Sequence, residues 1–235
     1  MQTAFTNALL DGGRCFAPIV WAHLPVLVNS VVEPEWWTNA ATCRRLALDL
    51  MGATGATAMP VDVLHPELCR ALFAGEDKEE AAEDVLEQSA VRAALEVMRQ
   101  LVSTLPVGVL AVLPDIGYLG EAVGTDGADD VVCDLARGVM PLGVAGVVVI
   151  DSTGSGAAVR RVVRLAENFN CPVMLLTAGS EGTPGAWRVE RAGAPGVVTL
   201  DSSAPTGVLI TPGDVSAGWN LSEVAEFGRQ PSPGA

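Results

Sequence analysis

The run Val144-Ala-Gly-Val-Val-Val-Ile150, followed at once by Asp151-Ser-Thr-Gly-Ser-Gly156, decides the fold. No polar residue interrupts the run, so a strand formed there is apolar on both faces. Such a strand belongs in the interior of a parallel sheet that is covered on each side. The acid and the glycine-rich turn end it. Gly156–Phe169 then carries apolar residues at helical spacing, and Pro172–Thr177 reads as the next strand. Strand, helix and strand in that order form a βα repeat.

The same alternation extends in both directions. Upstream, strands are expected at Phe16–Trp21, Ala56–Leu64 and Val107–Leu113. A helix over Pro34–Met51 places Trp36, Ala40, Cys43, Ala47 and Leu50 on one stripe, and Gly52 and Gly55 break it. The charge run Glu76–Glu87 leads into a long amphipathic helix ending near Leu105, since acids suit the positive end of a helix dipole. Another helix covers Ala128–Val139. Downstream, Gly196–Leu200 and Gly207–Ile210 read as strands and Leu221–Phe227 as a closing helix.

About seven strands alternating with helices argue for an α/β fold with a parallel sheet. A full (β/α) barrel of the TIM type takes about 250 residues. At 235 residues the chain is expected to form a trimmed barrel, with an open doubly wound parallel sheet as the alternative. One domain is expected over residues 1–228, with a Pro/Gly/Ser-rich tail over 229–235.

Composition narrows the partners. Fourteen Lys+Arg face 28 Asp+Glu, for a net charge of −14 and a pI near 4.4. Lys78 is the single lysine. Nucleic acids and acidic membrane surfaces need a basic face, so neither is expected as a partner. Hydrophobic residues make up 49% and charged residues 18%, which excludes a disordered chain. The first residues lack the pattern of a secretory signal, and no apolar run reaches membrane-spanning length. The five cysteines, odd in number and widely spaced, fit reduced buried thiols, so the expected location is the cytoplasm. With no CxxC or HxxxH pair, neither a structural metal nor another cofactor is expected.

Four acids fall at strand ends: Asp62, Asp115, Asp151 and Asp201. Carboxyl ends of parallel strands share one rim, where ligands bind. Acids gathered there would suit proton transfer or a substrate bearing N–H groups. Each acid taken singly equally suits capping of the helix that follows. His23 and His65 fall on the same rim and can serve as acid or base near neutral pH, although His65, directly before Pro66, also suits the opening of a helix. The loop 151–156 looks like a phosphate cradle but lacks the P-loop lysine and the third glycine of a dinucleotide fingerprint. Trp36 and Trp37 cannot both face one stripe, so one of them meets a partner, the mouth of the site or a covering loop.

With these residues in view, the chain resembles the uroporphyrinogen decarboxylase superfamily, which also contains corrinoid-linked methyltransferases and the methionine synthase type of barrel. The resemblance lies in Glu33-Pro-Glu-Trp36 through Gly55-Ala-Thr-Ala-Met-Pro-Val-Asp62-Val-Leu64, in Val107–Gly120 with Pro114, and in Leu221–Phe227. It implies that Asp62 matches the acid that holds pyrrole N–H groups in the decarboxylases. His23 or His65 would then move a proton, and Asp115 and Tyr118 would shape the pocket. Asp151 and Asp201 would complete the rim as substrate-binding groups.

The departures bear on activity. Pro18-Ile-Val-Trp-Ala-His-Leu-Pro25 has no arginine where the decarboxylases clamp propionates. Gly120 stands where a tyrosine is expected, with Tyr118 out of register, and no late histidine exists. Val173–Gly179 lacks the His-x-Cys pair of the zinc methyltransferases. The resemblance therefore implies a lyase, carrying out decarboxylation or a related C–C cleavage, on a small substrate other than uroporphyrinogen. The alternatives are a non-catalytic member binding a ligand or partner protein, and a methyltransferase subunit whose corrinoid sits on a separate protein. A homodimer follows from family analogy.

Overall fold

A computed structural model describes residues 15–75, 77–153, 157–177, 188–192, 198–200, 208–210 and 221–229. The strands are β1 (Cys15–Ala17), β2 (Ala58–Asp62), β3 (Gly108–Val112), β4 (Gly146–Asp151), β5 (Val173–Thr177), β6 (Arg188–Ala192), β7 (Val198–Leu200) and β8 (Val208–Ile210). The α-helices are α1 (Leu24–Leu27), α2 (Ala40–Thr54), α3 (Pro66–Phe73), α4 (Lys78–Glu83), α5 (Ser89–Thr104), α6 (Ile116–Val123), α7 (Thr125–Val139), α8 (Ala157–Phe169) and α9 (Leu221–Arg229). No helix among the described residues is long and apolar enough to cross a membrane.

Strands β2 to β5 lie side by side in sequence order, all parallel, with Ala58 opposite Gly108, Leu110 opposite Gly146 and Val147 opposite Val173. β6 and β7 continue the sheet, each antiparallel to the strand before it, a departure from the expected βα repeat. β1 pairs in parallel with β8 in a second, two-stranded sheet. It reaches the first sheet through Thr57, whose amide donates to the Phe16 carbonyl at 3.0 Å and whose hydroxyl accepts from the Phe16 amide at 2.9 Å. The order of β2 to β5 never reverses, so these strands have no switch point of the doubly wound kind.

Two clusters of buried side chains occupy opposite faces of the strands. Met59, Val61, Val109, Ala111, Val147 and Val149 pack with the helices. Ala58, Leu110, Val112, Val148 and Met174 face the other way and pack with Cys15, Ala17 and Ile19 of the β1 segment. Strand side chains alternate between faces, so this parity fixes where each strand-end residue points.

Several elements are shorter than expected, for local reasons. β1 stops at Ala17 because Pro18 has no N–H for a ladder, and Trp21–His23 then coils into a 3-10 turn. Trp36–Thr38 is also a 3-10 turn, and α2 begins only after Asn39, whose side chain accepts from the Thr42 amide at 3.0 Å. The long helix expected to end near Leu105 is divided into α4, a 3-10 turn at Val85–Glu87, and α5. Val85 and Val91 are both buried, yet six residues is about 1.7 helical turns, so one straight helix cannot turn both inward.

Candidate functional site

A cavity of about 350 Å³ opens at the carboxyl ends of β2, β3 and β4, beside the segment that follows β1. Its wall is mostly apolar, with Val20, Trp21, Leu64, Val112, Leu113 and Ile150 contributing. The polar groups on it are few: His23, Asp62, Arg70, Asp115 and Tyr118. An apolar cleft with a small set of converging polar groups is the usual form of a small-molecule site.

Asp62 ends β2 with the same parity as Ala58, so its carboxylate shares the face of Leu110, Val112 and Val148, away from the helices. It is half-buried. His23 closes the 3-10 turn after β1, its amide bonded to the Val20 carbonyl at 3.0 Å, and it too lines the cavity.

Asp115 caps α6, accepting from the Gly117 amide at 3.1 Å. The same oxygen accepts from the Ser152 amide at 3.0 Å, and the other accepts from the Ser152 hydroxyl at 2.8 Å. Asp115 thus lines the cavity with both oxygens engaged in holding the β4 loop. Tyr118 projects from the first turn of α6 to the exposed mouth. Burial raises its phenol pKa, nearby Cys69 adds to the rise, and nearby Arg70 opposes it.

Two of the expected site residues lie elsewhere. His65 is the N-cap of α3, its Nδ1 accepting from the Glu67 amide at 3.3 Å, and it does not line the cavity. Its ring stacks face to face on Trp37 at 3.8 Å and meets the edge of Trp36 at 5.9 Å. Only 7% of it is exposed, and Nε2 has no hydrogen bond. Burial pushes its pKa down to about 4, with the Ala22 backbone pulling the other way and Arg70 and His23 adding to the drop. This imidazole stays neutral near pH 7 and works as a cap. Trp21 packs on Trp36 at 5.4 Å, so the aromatic group ties the His23 turn to α3. The exposed partner expected of the tryptophan pair is Trp37, which is half-buried against His65.

Asp151 is fully buried and shares the parity of Val147 and Val149, on the helix side of the sheet. Its carboxylate accepts from the Thr153 amide at 3.0 Å and the Thr153 hydroxyl at 2.6 Å. It closes the start of the turn and does not line the cavity, which corrects the expectation of a common rim. Asp201 lies outside the described residues, as do Gly154, Ser155 and Gly156 of the suggested phosphate cradle. Of the four acids expected to converge, Asp62 and Asp115 line the cavity.

Sequence reading missed Arg70 and Cys69, which line the cavity from α3: a helix opening at Pro66 was an alternative reading of His65, but nothing in it told that this helix would face the cavity. The His65-Pro66 pair was the available signal, since proline is favoured at the first helical position. Burial pushes the Cys69 thiol up to about 12, so it is an inert wall group. No cluster of His, Cys, Asp and Glu suited to a metal ion occurs among the described residues.

No family model and no curated protein matches the chain. A solved structure is similar: a methyltransferase from Methanosarcina mazei. The two superpose with a TM-score of 0.53 over 76% of this chain and 71% of that one, at 17% identity. The likeness is one of fold. It agrees with an α/β architecture.

Proposed function

We propose that this chain is a divergent, trimmed barrel of the uroporphyrinogen decarboxylase and methyltransferase type, and that it acts as a lyase on a small substrate held in the cavity at the strand ends. The observation that carries the reading is the position of Asp62, a carboxylate on the face turned away from the helices in a mostly apolar pocket. There it holds a substrate N–H or cationic centre and orients the reacting carbon. His23, on the neighbouring segment, is the proton donor. In a decarboxylation the carbon–carboxylate bond breaks, carbon dioxide leaves, and the electron pair stays on carbon. The proton from His23 then closes the valence. The sequential parallel order of β2 to β5 and the packing of their second face against the β1 segment support the barrel.

The test is carbon dioxide release from a panel of pyrrole- and indole-carboxylates by the wild type and by Asp62→Asn. Turnover confined to the wild type, with an unchanged unfolding midpoint, supports the assignment. An unfolded variant makes Asp62 structural, and equal turnover by both removes it from the chemistry.

Methyl transfer is the second reading, favoured by the fold likeness to the Methanosarcina mazei methyltransferase. Val173–Gly179 lacks the His-x-Cys pair that activates a thiol in the zinc enzymes, so a different acceptor would be needed. Loss of the methyl group from methylcobalamin, followed by its visible spectrum with a thiol and with an amine acceptor, separates the two readings.

A further inference from the structure

We infer that Arg70 and Tyr118 form an anion subsite at the mouth of the cavity, so that the pocket selects an elongated, dipolar ligand. Its N–H or ammonium end lies at Asp62, and a carboxylate lies at Arg70. The orientation at Asp62 rests on the function proposed above, whereas the anion subsite stands on its own observations.

Arg70 sits on the exposed side of α3, one turn after Pro66, and both residues line the cavity. Its Nε donates to the Pro66 carbonyl at 3.4 Å, which steers the guanidinium. That bond uses one of five N–H donors, and Arg70 makes no ion pair among the described residues. Arg45, Arg92, Arg99, Arg137 and Arg161 each pair with an acid, and of the arginines that do not (Arg44, Arg70, Arg160, Arg164 and Arg229 among the described residues), Arg70 alone lines the cavity. In a chain with twice as many acids as bases, a guanidinium left without a carboxylate at the mouth of a pocket is notable. Tyr118 faces it from α6 and feels its charge. The fork of a guanidinium matches the two oxygens of a carboxylate, and a phenol hydroxyl adds a third donor.

Asp115 shares the cavity wall with that guanidinium, but both its oxygens are engaged by Gly117 and Ser152. Asp62 lies deeper, at the end of its strand and half-buried, whereas Arg70 and Tyr118 are exposed. Negative charge inside, positive charge at the rim and an apolar wall between them make a slot for a rod with opposite ends. A purely anionic ligand would meet Asp62, and a purely cationic one would leave Arg70 unused.

The test uses three rods of equal shape, each titrated calorimetrically into the wild type, Arg70→Gln and Asp62→Asn. They are 4-(aminomethyl)benzoate, 4-methylbenzoate and 4-methylbenzylamine. In the wild type the dipolar rod binds about tenfold more tightly than either single-ended rod. Arg70→Gln weakens both carboxylates by about tenfold and changes the amine by less than about twofold, and added salt narrows the gap between wild type and variant. Unchanged binding of 4-methylbenzoate by Arg70→Gln overturns the subsite. So does failure of either carboxylate to bind the wild type below about 10 mM. If Asp62→Asn leaves the amine unaffected while Arg70→Gln still loses the carboxylates, the role proposed for Asp62 fails and the anion subsite stands. A thermal midpoint for Arg70→Gln equal to that of the wild type shows that the loss is one of contact, not of folding.

Discussion

Asp115 and Ser152, 37 residues apart in sequence, are joined by two hydrogen bonds to the two oxygens of one carboxylate, at 3.0 Å from the amide and 2.8 Å from the hydroxyl. The same carboxylate caps α6 through Gly117. One side chain therefore starts a helix and clasps the loop after the neighbouring strand, which sets the wall of the cavity between β3 and β4.

Removing that clasp should be costly. Asp115→Ala leaves two amides and a hydroxyl without their acceptor, and about 2–3 kcal/mol of stability should be lost. Asp115→Asn keeps one acceptor oxygen for both amides, and its loss should be nearer about 1 kcal/mol. Urea unfolding of the two variants checks the order. Equal losses would mean that the carboxylate's charge, not its geometry, does the holding.

Gly117 lies under the clasp. A methyl group there would run into Ser152 Oγ, with the Ser152 Cβ at 3.4 Å and the Thr153 Cγ2 at 3.5 Å. Gly117→Ala should cost about 2 kcal/mol, because Ser152 can yield only by giving up its bond to Asp115. Adding Ser152→Ala removes the colliding oxygen, so the double variant should be more stable than Gly117→Ala alone. A double-mutant cycle by chemical denaturation measures the coupling.

His65 should give the protein an acid-side instability. In the folded chain its pKa is pushed down to about 4, against 6.5 for the free side chain. The unfolded chain therefore binds more protons between these values, and stability falls as the pH drops from 6.5 toward 4 and then levels off. The loss should be about 2 kcal/mol after allowance for solvent screening. His65→Asn keeps a capping side chain but has no proton to bind, so its stability should stay flat between about pH 6.5 and pH 5, where few carboxylates titrate. Unfolding midpoints across that range decide the point.

The cysteines should be silent in the native protein. All five are buried, and burial pushes Cys43 and Cys69 up to about 12 and Cys15 and Cys171 up to about 11, with Cys133 raised as well. With so little thiolate present, an aromatic disulfide reagent at about pH 8 should label none of them within minutes, and all of them after unfolding. Rapid labelling of one thiol in the native state would place that residue nearer solvent than it stands here.

Much of the sheet was legible because each strand left a local signal. β2, β3 and β5 fall inside the stretches expected for them, and β4 overlaps its own by all but one residue. The site was less legible. Period and composition identify a strand, but they do not state which alternate side chains face the helices. Val147, Val148 and Val149 are all apolar, so the run offers no cue to parity, and Asp151 could be placed on either face until its neighbours were known. Arg70 escaped notice for a related reason: the His65-Pro66 pair marks where a helix can open, but not which of its side chains turns to a cavity.

The sequence by itself determined that this is an α/β chain with parallel interior strands, that it carries a net charge of −14, and that acids stand where strands end. These are properties of local order and composition, and they survive any arrangement of the pieces. Only the tertiary structure decided which acids share a cavity, because that depends on strand register and on the face each residue takes. An odd offset moves a carboxylate from the pocket to the helix layer: Asp62 is level with Val148, and Asp151, three residues further on, is buried behind its strand.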